Sequence, residues 1–189
     1  MCKRCDWGTT NELMMKYHDT EWGVPLHDDQ KLFEFFVLES FQAGLSWQIV
    51  LNKRENFKKA FDNFVPEIVA KYDDHKLAEL VQEKSIIRNK QKIAACVNNA
   101  QRFLEIQKEF GSFDKYIWKF VNYKPIINSF SVMKDLPAKT LLSDEIATDL
   151  KKRGFKFVGS TVIYAHMQAT GMVNDHLIDC YRFEEVQKF

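Results

Sequence analysis

A nearly unbroken apolar run ending in Leu38-Glu39-Ser40-Phe41-Gln42-Ala43-Gly44-Leu45-Ser46-Trp47 constrains this chain more than any other stretch. It places a carboxylate behind a wall of rings and then breaks at a glycine. If Phe33 to Phe41 is helical, the same-face neighbours of Glu39 are Phe35 and Phe36 one turn back and Gln42 and Ala43 one turn on. Burying an ionised carboxylate without a partner costs several kcal/mol. Glu39 must therefore be protonated, paired with a fixed cation, or met by a ligand that brings the complementary group. The ordinary alternative is a glutamate that reaches solvent or an arginine.

With 189 residues, 46% of them hydrophobic, the chain can bury a real core as a single globular unit. Its 16 Phe and 4 Trp supply more ring surface than a modest helical core requires, so some rings are expected to line a site. A net charge of +1 argues neither for nor against nucleic acid, because a local patch can bind phosphates while remote charges cancel it. No secretory pattern opens the sequence and no apolar run approaches the ~18 to 20 residues of a membrane helix, so a cytoplasmic protein without membrane contact is expected. In that compartment Cys2, Cys5, Cys96 and Cys180 point to free thiols or metal ligands rather than disulfides.

The periodicity predicts an all-α fold. Residues 1–27 read as an irregular but ordered arm rich in rings. Asp28 or Asp29 caps a helix from Lys31 to Phe41, and a second runs from Trp47 to Phe61. Short helices follow from Pro66 to Tyr72 and from Lys76 to Gln82, then a long one from Asn89 to Phe110 with Gly111 as its stop. Phe113 to Val121 is helical, Pro125 and Pro137 bracket a loop, Ser143 caps a helix to Arg153, and Ser160 to Thr170 forms the last. No stretch shows the sustained alternation of a strand. Two lobes are expected within the one unit: residues 28–150 as a helical core, and residues 1–27 with 151–189 as a terminal lobe.

Two constellations carry chemistry. In the pause at residues 83–92, Ile86 and Ile87 are apolar anchors and Arg88, Lys90 and Lys92 surround the start of the long helix, where backbone N–H groups favour a phosphate. A helix-hairpin-helix grips DNA backbone in this way, although the usual glycine hairpin is replaced by Lys84-Ser85, and a solvated basic face reads the same. Near the termini, Cys5, His18, His176 and Cys180 have the composition of a closed, structural zinc site, with His176 and Cys180 on one face if that segment is helical. Cys2 is the competing thiolate. His27, His75 and His166 read as surface or hydrogen-bonded helix histidines, and Cys96 as a small core residue.

Cys5-Asp6-Trp7, Tyr17-His18-Asp19-Thr20-Glu21-Trp22-Gly23-Val24-Pro25, Leu38-Glu39, Gln42-Ala43-Gly44-Leu45-Ser46-Trp47, Lys53-Arg54-Glu55-Asn56, Ile86-Ile87-Arg88, Lys151-Lys152-Arg153-Gly154-Phe155-Lys156-Phe157-Val158-Gly159 and Val173-Asn174-Asp175-His176 stand in this order along the chain. Together they resemble the bacterial 3-methyladenine-DNA glycosylase type I family over about residues 2 to 180. The resemblance implies a base-excision repair enzyme with a helix-hairpin-helix core and one structural Zn2+ per chain, held by Cys5, His18, His176 and Cys180 where the termini meet. It implies a base pocket of Glu39, Tyr17 and Trp47 with Trp7 and Trp22 as further wall. Met14 departs from relatives that carry a ring there. It implies alkylated double-stranded DNA as partner and free 3-methyladenine as product, and a monomer is the default expectation.

On this reading Glu39 accepts from the cationic base, and the Gly44-Leu45 corner fills the gap that the flipped nucleotide leaves. Departures from the wider superfamily limit the chemistry. Glu105, Glu109 and Asp114 are the acids available after the hairpin helix, in place of the usual aspartate, and no lyase lysine or four-cysteine cluster is evident. A monofunctional hydrolase that leaves an abasic site is expected. Its rivals are a damage-binding protein without the chemistry and a zinc-stabilised interaction module.

Overall fold

In the computed structural model, which describes residues 3–189, the first helix lies inside the segment expected to be irregular. Asn11 has extended backbone and accepts a hydrogen bond from Met14 N at 2.9 Å, which starts α1 (Glu12–Thr20). Only Met14, Tyr17 and His18 of this helix are buried, and three inward residues are too few for the pattern to stand out in the sequence.

Asp28 then accepts from Lys31 N and begins α2 (Asp29–Gln42). Every residue from Leu32 to Phe41 is buried, so α2 is the central rod of the molecule rather than an amphipathic surface helix. It ends before Gly44, whose φ of +84° lies in the left-handed region that an L side chain avoids. The corner leads into α3 (Trp47–Ala60).

The long helix is α6 (Lys90–Phe110), started by the Asn89 side chain and stopped at Gly111; α4 (Pro66–Val69) and α5 (Asp74–Gln82) precede it. After α7 (Phe113–Trp118) the chain runs through an irregular segment to α8 (Leu141–Lys152) and α9 (Ser160–Ala169), and α10 (Arg182–Glu185) closes it. The cap of α8 is Thr140, not Ser143. Ser143 sits three residues inside and returns the hydrogen bond, a capping box that shifts the start.

Two further expectations are corrected. Ile126–Ile127 (β1) and Val173–Asn174 (β2) form a parallel bridge, Ile126 beside Val173 and Ile127 beside Asn174. Two residues cannot display a period of two. The His176 to Cys180 segment is a series of turns rather than a helix.

Helices α3, α6, α7 and α9 pack around α2. The main apolar cluster includes Phe33 edge-on to Phe103, which stacks on Phe113 at 4.1 Å. A second cluster gathers Cys5, Met14, Tyr17, Trp22, Leu177 and Cys180 from both ends of the chain against Phe35 and Leu51. His166 was expected at the surface or hydrogen-bonded. It is buried on α9 with its ring edge-on to Phe36, and neither nitrogen has a partner among the described residues. Burial pushes its pKa down to about 3, which keeps it neutral.

Candidate active site

The last turns of α2 carry the Glu39 carboxylate. Glu39 is 3% exposed and its Oε2 has no hydrogen-bond partner among the described residues. Burial alone pushes its pKa up to about 8. Glu34, five residues earlier on the same rod, is also buried but takes the ordinary solution: Arg54 Nε donates to it at 2.6 Å and Arg54 Nη1 to Glu21 at 2.6 Å. The guanidinium also lies over the Phe35 ring. Arg54 therefore serves Glu34 and Glu21, with Lys58 also 3.6 Å from Glu34, while Glu39 has no ion-pair partner among the described residues. Removing one partner of such a pair strands a buried charge, so Arg54→Met is expected to destabilise the protein by about 3–5 kcal/mol. Urea unfolding of both proteins at neutral pH checks this, and a loss under about 1 kcal/mol would contradict it.

Glu39 forms part of a cavity of about 230 Å³. Tyr17 of α1 and Trp47 at the start of α3 face each other at 5.4 Å between ring centroids. Trp7 packs against Tyr17 at 6.2 Å and edge-on against Trp22 at 4.9 Å. Trp47 Nε1 is buried and has no partner among the described residues, a donor complementing the open acceptor on Glu39. Burial, then the Glu39 charge, raises the Tyr17 pKa well above 10, so its hydroxyl keeps its proton. Flat aromatic walls, one anionic or neutral carboxyl and one fixed N–H are what a planar heterocycle with a polar edge requires.

Behind Trp7 lies the second group. Cys5 Sγ, His18 Nε2, His176 Nδ1 and Cys180 Sγ come within 4.8 Å of one another, all buried. His176 Nδ1 is 3.7 Å from each sulfur, and His18 Nε2 is 3.4 Å from Cys180 Sγ. Tetrahedral ligands at zinc bond lengths stand about 3.4–3.8 Å apart. The outward nitrogens are occupied, since His18 Nδ1 donates to Asp19 at 2.9 Å and His176 Nε2 to the Trp22 carbonyl at 3.0 Å. Both inner nitrogens are thereby left as acceptors for a cation. Arg4 holds Asp19 below the usual carboxylate range. The side-chain hydrogen bond between the two cysteines pushes the Cys5 thiol up and the Cys180 thiol down. Glycines make room for both rings: a side chain on Gly8 would meet His18 at 2.6 Å, and Gly23, at φ +78°, abuts His176. Cys2 lies outside the described residues.

A family model described as methyladenine glycosylase matches residues 7–183. The chain is 44% identical over 178 residues to DNA-3-methyladenine glycosylase 1 of Escherichia coli (strain K12), covering 94% of this chain and 95% of that one. Among solved structures, a crystal structure of 3-methyladenine DNA glycosylase I (TAG) superposes with a TM-score of 0.92 at 45% identity, covering 95% of this chain and 98% of the other. A structure addressing 3-methyladenine recognition by 3-methyladenine DNA glycosylase I from Staphylococcus aureus gives 0.91 at 36% identity, with 94% and 95% covered. The chain belongs to the methyladenine glycosylase family.

The residues expected to face DNA in this methyladenine glycosylase family member divide. Gly44 and Leu45 form an exposed corner, Leu45 39% exposed and Gly44 with nothing within 4 Å of where a side chain would begin. Arg88 and Lys90 are exposed before and at the start of α6. Lys92 is not among them. It is buried, and its ammonium donates to the Phe41 and Ala43 carbonyls. The third residue of α6 faces the end of α2, where unpaired carbonyls and the negative end of the helix dipole attract a cation.

Sequence reasoning missed part of the wall. Met133 and Leu136 come from the loop between the two prolines, and Ala165 and Gln168 from α9. Nothing local marks them. They reach the pocket because Asp175 accepts from Asn128, Tyr164 and Gln168, which ties that loop to α9 and β2. Among the described residues no helix is long and apolar enough to cross a membrane.

Proposed function

We propose that this protein is a base-excision repair glycosylase that hydrolyses the N-glycosidic bond of 3-methyladenine in alkylated double-stranded DNA. The observation that carries the reading is the buried, unpaired Glu39 among aromatic walls. A base in the duplex stack cannot reach such a cavity, so the nucleotide is flipped, at a cost of a few kcal/mol that damage reduces. Methylation at N3 leaves the adenine positively charged, and the ring faces attract that charge by about 0.5–2 kcal/mol. An ionised Glu39 supplies the opposite charge and accepts from the amino edge, while Trp47 Nε1 offers a donor. Uncharged adenine lacks the charge this pocket is built to meet.

The chemistry then needs little from the protein. The C1′–N bond breaks, its electron pair passes to the ring and cancels the positive charge, and water adds to C1′ and releases its proton. The base leaves neutral. Glu39 stays behind as an electrostatic stabiliser of a cationic sugar-like transition state. Among the described residues no lysine lines the pocket, and we assign a monofunctional reaction that ends at an abasic site.

The four terminal donors fit a structural Zn2+, with Cys5, His18, His176 and Cys180 as ligands and no position left open for water. Bound there, the ion supplies cohesion between the two ends of the chain. The α5–α6 pair serves as the helix-hairpin-helix, with Arg88 and Lys90 towards the DNA backbone, and the enzyme works as a monomer in the cytoplasm.

Incubation with methylated duplex tests the function. Release of 3-methyladenine without strand cleavage until alkali is added supports it; binding without release would mark a damage-recognition protein instead. Leu45→Ala tests the corner. Losing a buried leucine side chain of about 1.5–3 kcal/mol should weaken binding to an abasic duplex roughly 10- to 100-fold and leave free 3-methyladenine affinity unchanged. Equal duplex binding would remove Leu45 from the interface.

A further inference from the structure

Two lysines cross between the segments that face the duplex. Lys92, in the first turn of α6, donates to Phe41 O at 3.1 Å and Ala43 O at 3.0 Å, at the end of α2 and the start of the corner. Lys53, on α3, donates to Ser85 O at 2.9 Å in the connection between α5 and α6. Each lysine leaves the helix that follows one connection and ends on the backbone beside the other. An ammonium has three donors and no acceptor, so a ring of carbonyls is its natural seat away from water. Lys92 is nearly inaccessible, and desolvation lowers its pKa. The corner has little packing of its own: Gly44 stands in open space, and Leu45 N donates back to Gln42 O.

We infer that Lys92 and Lys53 are positioning residues that hold the Gly44-Leu45 corner and the α5–α6 connection in one fixed relation, so that both meet a single duplex together. The inference rests on the proposed reading of that corner as the segment that enters the duplex. Misplacement of a contacting group by about 1 Å is enough to lower a rate by roughly 100-fold, so a clasp of this kind has a measurable effect without touching DNA.

The test is Lys92→Met, which keeps the stem and removes the donors. Binding to a duplex with an abasic-site analogue is measured at several salt concentrations, beside binding of free 3-methyladenine. The expected result is a loss of about tenfold or more in duplex affinity, an unchanged salt slope, and free-base affinity within about twofold of wild type. Lys92→Arg should restore part of the loss.

A fall of about 0.9 in the slope of log affinity against log salt would instead make Lys92 a direct phosphate contact and overturn the inference. Loss of free-base affinity in step with duplex affinity would reduce the lysine to a structural role, and unchanged duplex binding would also refute the clasp. Lys53→Met, which attacks the other half, is read in the same way and decides the matter if Lys92→Met does not fold. Leu45→Ala separates the two levels. If it leaves duplex binding unchanged, the corner reading fails; if it weakens binding while both lysine variants match wild type, only the clasp fails.

Discussion

Glu39→Gln is expected to lower release of 3-methyladenine roughly 10²–10³-fold while making the protein more stable, the two effects having one cause. In the fold the carboxyl titrates at about 8, against an ordinary value of 4.5. Between those values the unfolded chain has lost its proton and the folded one has kept it, so wild-type stability falls as pH rises from about 4.5 to 8 and is level beyond. Glutamine has no proton to lose. The variant should therefore match wild type near pH 4 and exceed it by an amount on the order of a few kcal/mol at pH 8. Thermal unfolding at the two pH values measures this.

The same ionisation should appear in catalysis. If the anion is the active form, kcat/KM on methylated duplex rises with pH and levels above about 8, because that ratio reports the free enzyme. The glutamine variant should be flat as well as slow. A wild-type profile that is level from pH 6 to 9, or a variant with full activity, would end the assignment of Glu39.

Cys5→Ser is the second large effect, and it falls on the fold. On the proposed zinc assignment, one ion would join Cys5 and His18 to His176 and Cys180 and close almost the entire chain into a loop, and ligand binding that exists only in the folded state would add directly to stability. Losing one of the four ligands, and one of only two thiolates, should cost several kcal/mol. At about 2–4 °C per kcal/mol for a chain of this size, Tm drops by roughly 10–20 °C. Metal analysis of the purified variants should find about one zinc per chain in wild type and Cys2→Ser, and little in Cys5→Ser. Equal loss in Cys2→Ser would move the ligand to that residue, and a metal-free wild type of full stability would remove the clip.

The long helices were readable because their signals are local. Asp28, Asn89 and Gly111 end or begin helices by hydrogen bonds and backbone angles that belong to those residues. The convergence of Cys5, His18, His176 and Cys180 was suggested by donor chemistry and family likeness, not by periodicity. What escaped reading depends on partners far away in sequence. Glu34 and Glu39 look alike in the same apolar run, and the positions of Arg54 and Lys58 on another helix decide which one is paired. Lys92 reads as one more cation in a basic stretch until the end of α2 is placed beside it. Met133 and Leu136 sit in a loop whose course is set by a two-residue bridge and one buried aspartate, neither of which leaves a pattern.

Helix α1 carries Tyr17 and His18 side by side, one ring facing the cavity and the next facing the cysteines. Consecutive helical residues point about 100° apart, so this pair is a shared protractor for two places that have different tasks. Trp7 touches both rings, at 6.2 and 5.2 Å. Adding or deleting one residue between Asn11 and Tyr17 swings both rings at once, and no compensating change at either place can repair the other. The segment can drift by exchanging side chains but not by changing length. The interval from Cys5 to His18 is therefore as much a dimension of the cavity as the ring of Tyr17 itself.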